Sequence, residues 1–258
     1  MCCLEQPLIW EQLLNRSSGE LRAALFLDRD GVINKDTGYV RDPEDVVINL
    51  WATELICHAN ALGCPTVVVS NQSGVGRGYF TWQDFCCVQQ RIESELGGGG
   101  ARLDLVLACG SDPESHHAAS IAALPMRKPN PGMILRAAEI LPIDLRLSIL
   151  VGDRISDLHA AAQAGLAEAW YVADMGLPDI SQLADDGPCI PAPSVGVTAF
   201  RCINPAQGID DLMASLRRRT RSSTAIDGEG LSLGCRPWPP RSRFAGRDND
   251  TSIRAPVE

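Results

Sequence analysis

The sequence predicts an α/β fold, a doubly wound parallel sheet flanked by helices, with no room for a large cap domain. Three observations carry that prediction. Short apolar runs at residues 23–27, 65–70 and 147–151 are continuous rather than alternating, as strands buried on both faces are. Between them lie stretches whose apolar residues recur three or four apart, the signature of a helix with one buried face. Each run also breaks off into polar or glycine-containing sequence, and the ligand crevice of an open α/β sheet lies just beyond the carboxyl ends of its strands.

Taken in order, residues 1–22 read as a helical lead-in whose apolar contacts are Leu4, Leu8, Leu13 and Leu14. The first strand covers 23–27, and 34–43 is a surface loop broken by Gly38 and Pro43. A helix over 51–62 places Leu55, Ala59 and Leu62 on one face, and Gly63 ends it. The second strand, 65–70, is rich in β-branched residues. Thr81 and Asp84 have capping-box spacing at the start of a helix with the stripe Phe85, Val88, Ile92 and Leu96. The glycines at 97–100 stop it. A third strand at 103–108 leads into a long irregular loop at 110–126. Asn130 as cap and Pro131 in the first turn begin a helix buried through Ile134, Ala137, Ala138 and Leu141. The fourth strand (147–151), a helix over 156–164 closed by Gly165, and a fifth strand (167–172) complete the repetition. Only a helix at 208–217 is legible after that. From residue 219 the chain turns to Arg, Ser, Gly, Asp and Pro, the composition of a disordered tail over 219–258, which leaves 23–218 as the α/β domain.

Composition narrows the function. A net charge of −9 is the wrong sign for a general nucleic-acid binder. No stretch has the apolar length needed to span a bilayer. The amino terminus lacks a basic region followed by an apolar one, so no secretory signal is expected and a cytoplasmic setting is. The ten cysteines are scattered, with adjacent doublets at Cys2-Cys3 and Cys86-Cys87 that suit reduced thiols better than a disulfide framework. Lysine occurs only at Lys35 and Lys128, which makes the setting of Lys128 informative.

Four constellations stand at strand ends. Asp28-Arg29-Asp30-Gly31 follows the first strand and sends two carboxylates toward the crevice, the lesser alternative being a loop with two solvated acids. Ser70-Asn71-Gln72-Ser73-Gly74 follows the second and offers hydroxyl, amide and backbone donors to phosphate oxygens; alone it is equally a turn. Arg127-Lys128-Pro129-Asn130-Pro131-Gly132 presents two cations on a proline-braced loop, or two ordinary surface cations. Asp153 and Asp157 after the fourth strand suit a Mg²⁺ site near Asp28, or merely a helix N-terminus that favours negative charge.

All four together, in this order and over residues 23–172, resemble the haloacid dehalogenase (HAD) phosphohydrolase superfamily. That resemblance implies Asp28 as the nucleophile forming an aspartyl-phosphate, and Asp30 as general acid and then base. It implies Mg²⁺ held by Asp28, the Asp30 backbone carbonyl and Asp153, with Asp157 orienting Lys128 or a metal water. Ser70 and Lys128 would hold the phosphoryl oxygens. Closer wording, including Gly38-Tyr39-Val40 and Val151-Gly152-Asp153-Arg154, is similar to the D-glycero-D-manno-heptose 1,7-bisphosphate 7-phosphatases, a pattern largely shared by histidinol-phosphatases.

On that resemblance the substrate contacts are Asp36, Thr37, Gly38, Tyr39, Asn71, Gln72, Ser73, Arg127 and Arg154, the two arginines suiting a second phosphate. The intervals 34–67 and 79–127 leave no space for a large cap, so loops must select a small sugar phosphate. One departure is plain. The family commonly holds a structural zinc, but the corresponding positions here are Cys109, Ser111, Leu124 and Met126, so zinc is expected to be absent. Neighbouring His116 and His117 are poorly placed to chelate one metal together. The loop would instead be held by packing of Leu124 and Met126. The expected protein is thus a monomeric Mg²⁺-dependent phosphatase without nucleic-acid or membrane partners. The alternatives are a histidinol-phosphate phosphatase or a phosphate-binding module without turnover.

Overall fold

The computed structural model describes residues 8–15, 19–172, 198–205 and 208–223. Its strands are β1 (Ile9–Leu13), β2 (Leu25–Leu27), β3 (Thr66–Asn71), β4 (Leu105–Cys109), β5 (Ile149–Gly152), β6 (Glu168–Val172) and β7 (Ala199–Ile203). They form one sheet in the order β1-β4-β3-β2-β5-β6-β7, parallel throughout except for β1, which runs antiparallel on the edge. Successive connections run outward from β2 first toward β4 and then, through β5, the other way. β2 is therefore where the winding reverses, and the crevice beyond its carboxyl end is the expected ligand site.

Helices cover both faces: α1 (Leu50–Ala61), the single turn α2 (Ser73–Gly76), α3 (Trp82–Gly98), α4 (Ala118–Ala123), α5 (Gly132–Ile140), α6 (Ile155–Ala164) and α7 (Asp210–Ser223). Because strand side chains alternate, each apolar run splits between two cores. Leu25, Leu27, Val68 and Val106 face α1, α3 and α7 through Leu55, Ile56, Phe85, Ile92 and Leu212. Phe26, Val67, Val69, Leu107 and Leu150 face α5 and α6 through Met133, Ile134, Ala137 and Leu158. That two-sided burial explains why these strands read as unbroken apolar sequence. Intervals 34–67 and 79–127 hold only a loop with α1, and α2's exit, α3, β4 and α4, so no cap domain is inserted. No helix among the described residues is long and apolar enough to cross a membrane.

Four expectations need correction. The lead-in is not helical where it is described: Ile9–Leu13 is a strand, paired from Ile9↔Cys109 to Leu13↔Leu105. Its Trp10 packs on Trp82 and Phe85 at 5.8 and 5.5 Å between ring centres, so tertiary pairing overrides a weak helical pattern. The loop at 110–126 contains α4 and a 3₁₀ turn at Leu124–Met126. Pro131, not Asn130, caps α5, while the Asn130 amide is used on the Leu124 carbonyl at 2.9 Å. β7 gave no clear sequence signal, and α7 continues through Ser223, beyond the boundary set at residue 219. The remainder of the expected tail lies outside the described residues.

The predicted capping box is present: the Thr81 hydroxyl accepts from the Asp84 amide at 3.2 Å, and the Asp84 carboxylate accepts from the Thr81 amide at 2.7 Å. Thr81→Ala should lower stability by about 1 kcal/mol, a shift of about 2–4 °C in Tm for a domain of this size, measured by thermal denaturation.

Candidate active site

β2 ends at Leu27, and the chain turns back at once. The Asp28 amide still donates to the Val151 carbonyl of β5 at 3.0 Å, and the Asn34 carbonyl accepts from Gly31 at 2.8 Å. Gly31 makes the turn with φ +89°, and a Cβ there would strike the Asp153 carboxylate, so glycine is needed both for the backbone and for the approach of that acid. Asp28 thus sits at the winding reversal with Asp153 and Asp157 arriving from the end of β5. One carboxylate oxygen from each lies within 4.8 Å of the others.

Lys128 enters this acidic group from the loop before α5. Its ammonium lies 3.0 Å from Asp28 and 2.6 Å from Asp157 and donates to the Val69 carbonyl at 2.7 Å. Asn71 fixes the loop by a reciprocal pair, its amide donating to the Lys128 carbonyl at 2.9 Å and its oxygen accepting from the Lys128 amide at 3.0 Å. Burial opposes the charge on Lys128, but Asp157 and Asp28 outweigh it and hold its pKa above the ordinary lysine value. Burial pushes Asp28 up to about 7, with repulsion from Asp157, Asp153 and Asp30 adding to it and Lys128 pulling the other way. Asp153 is pushed up to about 6, again by burial first and then by Asp157. Its Oδ1 is buried and has no hydrogen-bond partner among the described residues. An all-oxygen acidic group, with two carboxyls that resist ionising and one lone pair unclaimed, fits a hard divalent cation. Asp28 and Asp153 are the better donors, since Asp157 already faces Lys128 and accepts from the Arg154 amide at 3.0 Å.

Asp30 stands differently. Arg29 reaches it through two nitrogens at 3.1 and 2.9 Å, Asn34 at 3.0 Å and Gln72 at 2.8 Å. Burial favours its neutral form, but the Arg29 charge and these donors prevail, and its pKa lies below the usual carboxylate range. Arg29 is itself buried, its guanidinium over the Phe85 ring at 4.8 Å. Gln72 also donates to the Ser70 hydroxyl at 2.8 Å. The Arg29–Gln72 clamp was not anticipated from sequence. The available signal was an arginine confined between two acids at a buried strand end.

The cleft over Asp28 is lined by Asp30, Ser70, Asn71, Gln72, Ser73 and Lys128, and at its rim by Asp36, Gly38, Tyr39 and Arg154. Val40, Ser156 and Asp157 join them. Two expected substrate contacts, Thr37 and Arg127, do not line it. Arg127 turns away to donate to the Ser111 carbonyl at 2.8 Å. Arg154 pairs with Asp36 at 2.9 Å, so two residues expected to touch substrate satisfy each other here. In the loop after β4 Met126 packs on the core, as expected, and buried polar contacts add to it: Ser111 donates to the Ser120 carbonyl at 2.9 Å, and the Cys109 thiol lies 3.5 Å from the Ala123 carbonyl. His116 and His117 are exposed.

The chain is similar to known proteins. The family model described as HAD-hydrolase-like matches residues 125–176, the segment carrying Lys128, Asp153 and Asp157. The chain is 43% identical over 175 residues to the D-glycero-beta-D-manno-heptose-1,7-bisphosphate 7-phosphatase of Mesorhizobium japonicum, a match covering 66% of this chain and 78% of that one. A solved HAD-like phosphatase structure from Mesorhizobium loti superposes with a TM-score of 0.70 at 36% identity, covering 84% of this chain and 97% of that one. The D,D-heptose 1,7-bisphosphate phosphatase from B. bronchiseptica, complexed with magnesium and phosphate, superposes with a TM-score of 0.58 at 26% identity, over 76% and 98% of the two chains.

Lys128→Met would leave Asp28 and Asp157 buried without their counter-charge. A stability loss of about 3–5 kcal/mol is expected at pH 8. The loss should shrink at pH 5.5, where Asp28, already raised to about 7, takes up a proton and no longer needs a cation. Urea denaturation at the two pH values measures the difference.

Proposed function

Because the chain belongs to the HAD-like phosphatase family of the heptose-1,7-bisphosphate 7-phosphatases, we propose that it removes the 7-phosphate of D-glycero-D-manno-heptose 1,7-bisphosphate by way of an aspartyl-phosphate. The observation that carries the hydrolytic reading is the Lys128 ammonium 3.0 Å from the Asp28 carboxylate at the strand end where Asp153 also arrives. The substrate reading is supported by the identity to the M. japonicum enzyme, whose name specifies that sugar.

Asp28 is the nucleophile: one of its oxygens bonds to phosphorus as the bond from phosphorus to the sugar oxygen breaks. Lys128 and Ser70 hold the phosphoryl oxygens while charge shifts among them. Asp30 protonates the departing sugar oxygen and afterwards takes a proton from the water that cleaves the acyl phosphate. The four hydrogen bonds it accepts favour the ionised form, which suits the second step. For the first step substrate entry must loosen the bonds from Arg29 and Gln72, so that Asp30 takes up a proton from solvent and passes it to the departing sugar oxygen. Mg²⁺ on Asp28, Asp153 and the Asp30 backbone carbonyl would neutralise phosphoryl charge and offset the crowding of acids. Asp157 keeps Lys128 aimed. At the rim, Asp36, Gly38, Tyr39, Asn71, Ser73 and Arg154 meet the sugar and its distal phosphate, with Thr37 and Arg127 reaching it only if their loops move.

In this reading the enzyme is a cytoplasmic monomer acting on a small molecule, with no nucleic-acid or membrane partner. The net charge of −9 and the free thiols at Cys57, Cys64, Cys86, Cys87, Cys109 and Cys202 support it. No zinc is expected, because Cys109 with Ser111, Leu124 and Met126 is not a tetrahedral ligand set.

Phosphate release with Mg²⁺ should be at least tenfold faster from the heptose bisphosphate than from histidinol phosphate or fructose 1,6-bisphosphate. Equal or faster release from histidinol phosphate would transfer the assignment to that substrate, and no release from any of them would leave a binding module. Asp28→Asn should cost on the order of a thousandfold or more in kcat, as loss of an acting nucleophile does, and Asp30→Asn given p-nitrophenyl phosphate, whose leaving group departs without a proton, should accumulate phosphate on Asp28, detected by intact mass. Magnesium at about 100 times its Kd should stabilise the protein by about 2.7 kcal/mol at pH 8. The gain should be smaller at pH 5.5, where protonated Asp28 and Asp153 compete with the cation; thermal shift measures both.

A further inference from the structure

Tyr39 lines the cleft, and contacts from outside its own loop fix its ring. The Tyr79 ring stands against it edge-on at 4.9 Å and 75°. Gly74 lies so close beneath that a Cβ there would come within 2.8 Å of the Tyr39 ring and strike Phe80. The Tyr39 hydroxyl accepts from Arg77 Nη1 at 2.9 Å. The other arm of the same guanidinium lies 3.1 Å from Asp112 and 3.7 Å from Glu114, in the loop after β4. Arg77 does not line the cleft and has no part in the chemistry above.

Asp112 is a firm anchor. Its amide donates to the Ser120 hydroxyl at 2.9 Å, and its carbonyl lies 2.9 Å from the same oxygen. Ser120 also contacts the Ser111 hydroxyl at 3.1 Å, and both serines are buried. Gly76 adds a backbone contact, since a Cβ there would run into the Gly110 carbonyl. One side chain at the end of α2 thus ties the loop after β2 to the loop after β4, and the tie ends on a buried hydroxyl pair.

We propose that Arg77 is a positioning residue for substrate selection, holding Tyr39 at a fixed distance from the Ser111–Ser120 knot so that the outer wall of the cleft fits the sugar portion of the substrate. The proposal rests on the sugar-phosphate reading above. Loss of Arg77 leaves the acids and Lys128 untouched but frees the wall. The sugar should then be held less well while the chemistry on an already bound phosphate is preserved.

The test compares two substrates, the sugar bisphosphate turned over best and p-nitrophenyl phosphate, which has no sugar to place. Arg77→Ala should raise KM for the sugar bisphosphate about tenfold, the scale of one lost hydrogen bond to a charged group. Its kcat should stay within about twofold, and kcat/KM for p-nitrophenyl phosphate should be unchanged. Tyr39→Phe, which removes only the acceptor, should move KM in the same direction, and the double variant should add little to Arg77→Ala alone. Equal losses on both substrates, no change on either, or full additivity of the two substitutions would each overturn the proposal. Should Arg77→Ala fail to fold, Asp112→Asn and Tyr39→Phe put the same question. A wild-type enzyme that does not favour the heptose bisphosphate would instead refute the substrate assignment, and the Arg77 comparison is then read on the best sugar phosphate of the panel.

Discussion

A buried lysine between two buried aspartates is the constraint on which the rest of the structure depends. Lys128 joins four separate pieces of chain: Asp28 after β2, the Val69 carbonyl within β3, Asp157 in α6, and its own loop before α5. Removing such charges from water is costly, and the cost is recovered only when every partner is in place. The ion triad therefore favours one relative placement of these segments over any looser one. Packing alone would tolerate small slips between α6 and the sheet, but a displaced Asp157 would leave the ammonium with half its counter-charge.

The fold and the electrostatics converge at one point for a geometric reason. The winding reverses at β2, so no helix crosses over the end of that strand, and the loops after β2, β3 and β5 open onto a common crevice. Asp28, Asp153 and Asp157 come together there. Burial, with their mutual repulsion added to it, raises the pKa values of Asp28 and Asp153, while Asp30, two residues from Asp28, is drawn the other way by Arg29. Neighbouring acids of the same type are thus separated in acidity by their surroundings.

Much of this was legible in the chain. Val67-Val68-Val69 reads as a strand because both of its faces are buried, and the acids and lysine announce themselves by ending such runs. What was not legible depended on long-range contacts. Ile9–Leu13 has too little pattern to reveal a strand, because its conformation is set by pairing with Leu105–Cys109. Gln72 reads as a turn residue, and only the fold brings its amide between Asp30 and Ser70. Arg127 looked like a substrate ligand because it neighbours Lys128, yet consecutive residues in an extended loop point apart, and its guanidinium goes to Ser111. The serine pair that secures the loop after β4 had no motif at all.

The antiparallel edge strand has a consequence for how the molecule is made. Among the described residues β1 precedes every other strand, yet the strand it pairs with, β4, lies roughly a hundred positions later in the chain. Until that partner is synthesised, Ile9 and Trp10 have no sheet to join and remain open to chaperones or to other nascent chains. Assembly must then proceed from the centre outward, with β2, β3 and β4 closing first and β1 docking late.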